Sequence, residues 1–339
     1  MWSFRTSILA RGLILASCVL VLLLFTACPK DDVPVKPRVG MSTAKPAPTI
    51  APTIAAFSGS RALQHARKQV EIGPRPPDTP ALEKTRNYII NELKSYGLRV
   101  FLDEFRAKTP FGEKRMVNIV GDIPGETKDY ILLASHYDTK LYDDMLFVGA
   151  NDPAASVGTL LEIGRVLASS QEKPKLTYRL VFFDGEEALC EGWDECSKPD
   201  APDNTYGSRH YVSQLKERGE LKRTRALILL DMMGYKKLEL GRDTSSTRWL
   251  QDIIWQAGRE LGHSKIFVDR EEGVGGDDHE PFLDAGIDSV DLIQLGGYPY
   301  WHKPDDNIDK ISADSMKIVG DTVLASLPRI VAHVLGNGG

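Results

Sequence analysis

The chain is short of cysteine, of histidine and of excess charge of either sign, and each shortage narrows what it does. Its 339 residues hold four cysteines and seven histidines. Cys18 and Cys28 fall in or beside the N-terminal apolar run, so Cys190 and Cys196 are the only pair left for a folded region. They flank a Gly-Trp-Asp-Glu loop without the two further ligands that a zinc knuckle needs nearby. A local disulfide is their expected state in an oxidising compartment. The 42 Lys and Arg do not outnumber the 47 Asp and Glu, which leaves a net charge of -5 and a pI near 5.9. Without a basic face for phosphates, nucleic acid is not expected as a partner. No internal repeat and no charge block stands out. The Gly-rich stretch 273–276 is not followed by Lys-Ser/Thr, so it does not read as a phosphate loop.

What is there is ordinary globular material, 42% hydrophobic and 26% charged, enough for one large α/β domain or two small ones. Arg5 and Arg11 precede an apolar run, Gly12 to Phe25, that is short for a membrane span but suits the core of a secretory signal. It closes on Phe25-Thr26-Ala27-Cys28, which resembles a bacterial lipobox with Cys28 as the lipidated mature N-terminus. Plain secretion and an uncleaved anchor are the alternatives, and all three put the folded part outside the cytoplasm. Residues 29–57 are rich in Pro, Ala, Thr and Lys and read as a tether, leaving 58–339 as the catalytic domain.

Within that domain the informative stretch is Leu180-Val181-Phe182-Phe183-Asp184-Gly185-Glu186-Glu187. An apolar run bounded by Gly reads as a buried strand, and three carboxylates crowd its end. Such neighbours repel unless a positive charge lies among them, and a divalent metal supplies it, with one glutamate as ligand and the other as proton carrier. A solvated acidic turn is the bland alternative. Tyr130–Ala134 is a second apolar strand, ending in Ser135-His136-Tyr137-Asp138, and Ala226–Asp231 is a third. His136 and Asp138 alternate along a strand and share a face. Asp152 precedes an amphipathic helix from about Pro153 to Ala168 and suits its N-cap, with a metal ligand as the other reading. Helices are expected over 61–72, 81–96, 246–261 and 314–334, and strands over 99–105, 116–120 and 290–295. Strands ending in polar groups and alternating with helices predict an α/β sheet with a ligand site beyond its carboxyl edge. His65, His210, His263 and His333 read as structural or surface residues.

The order His136-x-Asp138, Asp152, Glu186-Glu187, Asp231, Asp277-Asp278-His279 and Trp301-His302 resembles the zinc aminopeptidase superfamily, and within it the animal-type glutaminyl cyclases. Ser135 to Lys140, Phe182 to Ala188, Tyr206-Gly207-Ser208-Arg209-His210, Pro281-Phe282-Leu283 and Asp305-Asp306-Asn307 carry the same resemblance, which spans roughly residues 60–335. It implies a single α/β domain of the zinc-aminopeptidase-like (phosphorylase/hydrolase-like) kind, with a mixed, mostly parallel sheet flanked by helices. It implies one zinc on Asp152, Glu187 and His302, with Glu186 as proton carrier. Asp231 and Asp277 are then its hydrogen-bonded neighbours, with Asp278 as runner-up to Asp277. Trp301, with Trp193 in the loop between the cysteines, walls the substrate pocket.

The implied activity is zinc-dependent cyclisation of N-terminal glutamine on peptides, by a monomer held at the membrane through its lipid. The peptidases of the superfamily bind a second zinc through His136 and Asp231, both present here, so an extracytoplasmic aminopeptidase is the alternative. An inactive peptide-binding lipoprotein is the third reading. Thr139-Lys140, the doubled Asp277-Asp278 and Trp301 favour the cyclase. Trp193 is displaced by one position, and Gly276 stands where the animal enzymes carry Gln.

Overall fold

The computed structural model describes residues 55–336, so the expected signal and lipobox, residues 1–28, and nearly all of the expected tether lie outside the described residues. The tether reaches in only at 55–57, where Phe57 is buried against Gly320.

Two helices open the domain, α1 (Gly59–Ile72) and α2 (Pro80–Ser95). Thr79 caps α2, its hydroxyl accepting the Leu82 N–H at 3.3 Å, with Pro80 at the first helical position, where its missing N–H costs nothing. Strands β1 (Arg99–Thr109) and β2 (Gly112–Ile123) then form one antiparallel hairpin, longer than the two short strands expected. The outer β1 is largely exposed and carries no apolar run to mark its length.

The rest is alternation. Strands β3 (Tyr130–His136), β4 (Thr177–Phe183), β5 (Thr224–Asp231) and β8 (Ser289–Ile293) are mutually parallel, in a six-stranded sheet of order β1-β2-β4-β3-β5-β8. Their alternate residues point to opposite faces. Ile131, Leu133, Leu180, Phe182, Ile228, Leu230, Val290 and Leu292 meet α1, α2, α3 (Ser156–Ala168), α5 (Arg248–Glu260) and α7 (Ala313–Gly336). Leu132, Ala134, Val181, Phe183, Leu227 and Leu229 meet α4 (Tyr206–Glu217) and the short α6 (Glu280–Asp284). Burial on both faces is why these strands read as unbroken apolar runs.

Two expectations change. Asp152 does not cap α3: Ala150–Ala155 winds as a π-turn, Asp152 itself is extended (φ -117, ψ 90), and α3 begins at Ser156. Its carboxylate is engaged elsewhere, by two imidazoles described below. A second, two-stranded parallel sheet, β6 (Leu240–Asp243) with β7 (Phe267–Glu272), was not legible, because β6 has four residues and β7 is mostly polar and exposed. The Tyr206-Gly207-Ser208 phrase forms the first turn of α4. Gly207 is required there, since a Cβ would lie 2.6 Å from the Asp184 carbonyl.

The carboxyl ends of β3, β4 and β5 therefore deliver His136, the Asp184–Glu187 turn and Asp231 to one edge. The π-turn and the loop after β8 bring Asp152 and His302 to meet them.

Candidate functional site

After β4 the chain turns at Gly185 (φ 72) and presents Glu186 and Glu187, both buried. Asp138 fixes the pair from below: its Oδ1 accepts the Glu186 N–H at 3.1 Å, its Oδ2 the Glu187 N–H at 3.4 Å. Glu187 Oε1 lies 3.1 Å from His302 Nε2, and Asp152 Oδ2 lies 3.5 Å from the same nitrogen. The other oxygen of Asp152 is 3.2 Å from His136 Nε2, which is also 3.4 Å from Asp231 Oδ1. On its far side His136 Nδ1 stands 3.7 Å from Glu186 Oε2. His302 is held in the left-handed region (φ 52), a conformation that costs a non-glycine residue about 1–3 kcal/mol and persists only where its surroundings enforce it.

Of four sets of three among the described residues that could each hold a metal ion, two share Asp152: Asp152, Glu187 and His302; and His136, Asp152 and Asp231. In each, the donor atoms lie within 4.8 Å of one another. Two carboxylates and an imidazole are a donor set that zinc accepts. Neither nitrogen of His136 nor Asp231 Oδ1 has a hydrogen-bond partner, although all are buried. These orphaned atoms belong to the second set and are what a cation site leaves behind. In the first set His302 Nε2 hydrogen-bonds Glu187 Oε1, and it is the chemistry of the donors that fits the metal.

The electrostatics carry the same stamp. Burial works against a proton on His302, but Glu187 and Asp152 more than reverse this and push it up to about 10. Burial likewise opposes charge on His136, and Glu186 and Asp231 hold it well above its ordinary value. The two carboxylates facing His302 shift in opposite directions. Burial raises Glu187, whereas for Asp152 burial is outweighed by the two imidazoles beside it, His136 and His302, which hold it below the carboxylate range. Asp152 answers to two imidazoles and Glu187 chiefly to one. Glu186 is pushed well up by burial and by the charges of Glu187, Asp277 and Asp278, with His136 pulling the other way. Burial, then Asp231 and Asp278, raise Asp277. Such surroundings raise a carboxyl's affinity for a proton, which suits a group that takes one up and gives it back.

Asp152, Glu186, Glu187, Trp193, Asp231, Asp277, Trp301 and His302 all line one pocket of about 290 Å³, with Met232, Val274, Ile293 and Leu295 as its apolar wall. Every site residue expected from the sequence is thus at this pocket. His136 lies beneath it, and Asp277 rather than Asp278 faces it. Trp301 stacks on His302 with ring centroids 4.4 Å apart. Trp193 comes from the loop closed by the Cys190–Cys196 disulfide, which is formed as expected. Gly276 (φ 127) lies directly against it: a Cβ there would sit 3.0 Å from Trp193 Nε1. Direct hydrogen bonds from Asp231 and Asp277 to Glu186 are not present, and Asp277 is instead adjacent to buried Asp291 and His279.

Other buried charges pin the backbone that carries the site, a role not legible from their spacing. The Asp306 carboxylate accepts the N–H groups of Asn151 and Asp152 and the Tyr298 hydroxyl. Arg75 donates to the carbonyls of Val148 and Gly149, just before the π-turn. Lys140 Nζ donates to the carbonyls of Ala188 and Cys190, just after the glutamates, at 2.5 and 2.6 Å. Asp306 and Lys140 stood in phrases singled out for resemblance, but nothing in their spacing showed that they act on main chain.

The chain is similar to proteins already known. Peptidase family M28 matches residues 118–327. The chain is 31% identical over 278 residues to the glutaminyl-peptide cyclotransferase of Bos taurus, covering 71% of this chain and 75% of that protein. The solved glutaminyl cyclase of an Acidobacteriales bacterium aligns with a TM-score of 0.75 at 34% identity, covering 85% of this chain and 99% of that one. A Zn-dependent exopeptidase from Parabacteroides distasonis aligns with a TM-score of 0.72 at 28% identity, covering 80% and 98%.

Proposed function

This chain belongs to peptidase family M28, among its glutaminyl-peptide cyclotransferases, and we propose that it cyclises the N-terminal glutamine of peptides to pyroglutamate, releasing ammonia. The observation that carries the reading is the pocket. About 290 Å³ suits one side chain, and its walls are Trp193, Ile293, Leu295 and Trp301 while its floor is ionisable. We assign the metal to Asp152, Glu187 and His302, one zinc per chain. Zinc held by these residues would supply positive charge to an amide oxygen that gains negative charge.

The chain's own groups do the rest. Trp193 and Trp301 flank the glutamine side chain and exclude water, so that the α-amine rather than water meets the carboxamide. Glu186, as its carboxylate, takes a proton from the attacking amine as the new N–C bond forms, and returns it to the departing nitrogen as the old C–N bond breaks. Asp277, beside Glu186, raises its affinity for the proton it has taken, which holds that proton for the departing nitrogen. Atoms balance: one amide nitrogen leaves as ammonia and no water is consumed.

The set His136, Asp152 and Asp231 supports a second reading, an aminopeptidase with two metals. The resemblance to cyclotransferases over most of the chain favours the first. We further propose that the enzyme works as a monomer outside the cytoplasm, lipidated at Cys28 and anchored to the membrane; of these, the Cys190–Cys196 disulfide supports the location alone. Labelling with a radioactive fatty acid should be lost in Cys28→Ala. The deciding experiment is mass spectrometry of a Gln-initiated peptide incubated with residues 58–339 and zinc. Loss of ammonia from an otherwise intact peptide is expected, and release of free glutamine would install the aminopeptidase reading instead.

A further inference from the structure

A substrate whose first residue fills the pocket must lead its second and later residues out of it. Two clefts share a wall with the pocket. One, of about 900 Å³, is lined by the same Trp193, Trp301 and His302. The other, of about 520 Å³, adjoins Trp193 and Gly275 to Asp277. They differ in chemistry. The smaller cleft mixes Arg209 and Lys216 with Glu280 and Asp284, and none of the exposed large apolar side chains lines it. The larger has Leu141, Tyr142 and Met145 in its floor, and Phe111 stands 63% exposed at its wall.

Its rim is acidic. Asp143, Asp144 and Glu191 are exposed, and none makes an ion pair or side-chain hydrogen bond among the described residues. Of the two lysines in this cleft, Lys140 is buried and its ammonium is spent on the Ala188 and Cys190 carbonyls, which leaves Lys114 as the counter-charge. An apolar floor rewards an apolar side chain, and unpaired carboxylates at a rim favour and steer cations.

We propose that this cleft binds the residues following the N-terminal glutamine, taking an apolar side chain at the second position and basic ones beyond it. The inference rests on the cyclisation reading and adds to it a substrate class: basic peptides with an apolar second residue. A cleft of this size lies within the range of about 300–1,000 Å³ that ligand sites occupy.

The test compares kcat/KM on the zinc-loaded enzyme for the amidated peptides Gln-Phe-Lys-Lys, Gln-Phe-Glu-Glu and Gln-Ser-Lys-Lys. Gln-Phe-Lys-Lys should exceed Gln-Phe-Glu-Glu by about tenfold at low salt, mainly in KM, since exposed pairs are individually weak and screened. It should exceed Gln-Ser-Lys-Lys by several-fold. In D143N/D144N/E191Q the Lys-to-Glu ratio should fall towards one. Equal values for the two charged peptides, or a preference that survives the triple substitution, would overturn the assignment and point to the smaller cleft. Should free glutamine appear in place of ammonia, the cyclase reading fails, while the same ratios measured on that product still judge the cleft. No product from any peptide overturns both.

Discussion

The carboxylate of Asp306 holds the backbone of Asp152: Oδ2 accepts the Asp152 N–H at 3.2 Å, while Oδ1 accepts the preceding N–H at 2.8 Å. The proposed first ligand is therefore set by a residue that touches no metal. Asp306→Asn would turn an amide N–H towards one of those donors. Such supporting residues typically change metal affinity 10–100-fold. A chelator-competition titration should show a loss of about tenfold or more with the far-UV spectrum unchanged, and unaltered affinity would remove Asp306 from the site's support.

Glu186 and Glu187 are adjacent, but only Glu187 contacts His302. Glu186→Gln should lower kcat by about a hundredfold or more while zinc stays bound. His302→Ala should lose zinc and turnover together. Metal analysis beside an ammonia assay checks both, and loss of zinc from the Glu186 variant would mean that the two glutamates have exchanged roles.

Lys140 is 1% exposed, and its ammonium is the donor for two buried carbonyls. In Lys140→Met those carbonyls lose their partner, at about 1–3 kcal/mol each. Urea unfolding should show a loss of about 2 kcal/mol or more. A variant as stable as the parent would mean that water replaces the ammonium.

Gly276→Ala strains a backbone at φ 127 and drives a methyl against the Trp193 indole. KM for a Gln-initiated peptide should rise with a smaller change in kcat, accompanied by altered tryptophan fluorescence. An unchanged KM would show that the indole does not bound the substrate.

Burial raises both Asp184 and Asp278 from 3.8 to about 7, with Asp138 adding to each. Raised folded values mean that the folded chain binds more protons than the unfolded one between about pH 4 and 7. Their contribution is full below the unfolded value and is lost as pH rises through the folded one. The Tm of chelator-treated protein should therefore fall from about pH 4.5 to pH 8, and a rising Tm over that interval would contradict the assignment.

Much of this was legible because the parallel strands are buried on both faces. Tyr130–Ala134 and Ala226–Leu230 left unbroken apolar runs, and polar residues at their ends marked the sheet edge. The eight pocket residues were readable as a family order of motifs. What escaped has a common cause. Asp138, Asp306 and Arg75 act on main-chain N–H and carbonyl groups far away in sequence, and such pairings leave no periodicity. Asp152 was open to reading as a cap because the same residue type suits a helix start and a ligand. Only the placement of His136 and His302 separates the two.

Asp152 has one oxygen for His302 and the other for His136. A single side chain is thus the hinge between a one-ion and a two-ion centre, and a proton on His136 and a second cation are rival tenants of the same electrostatic well.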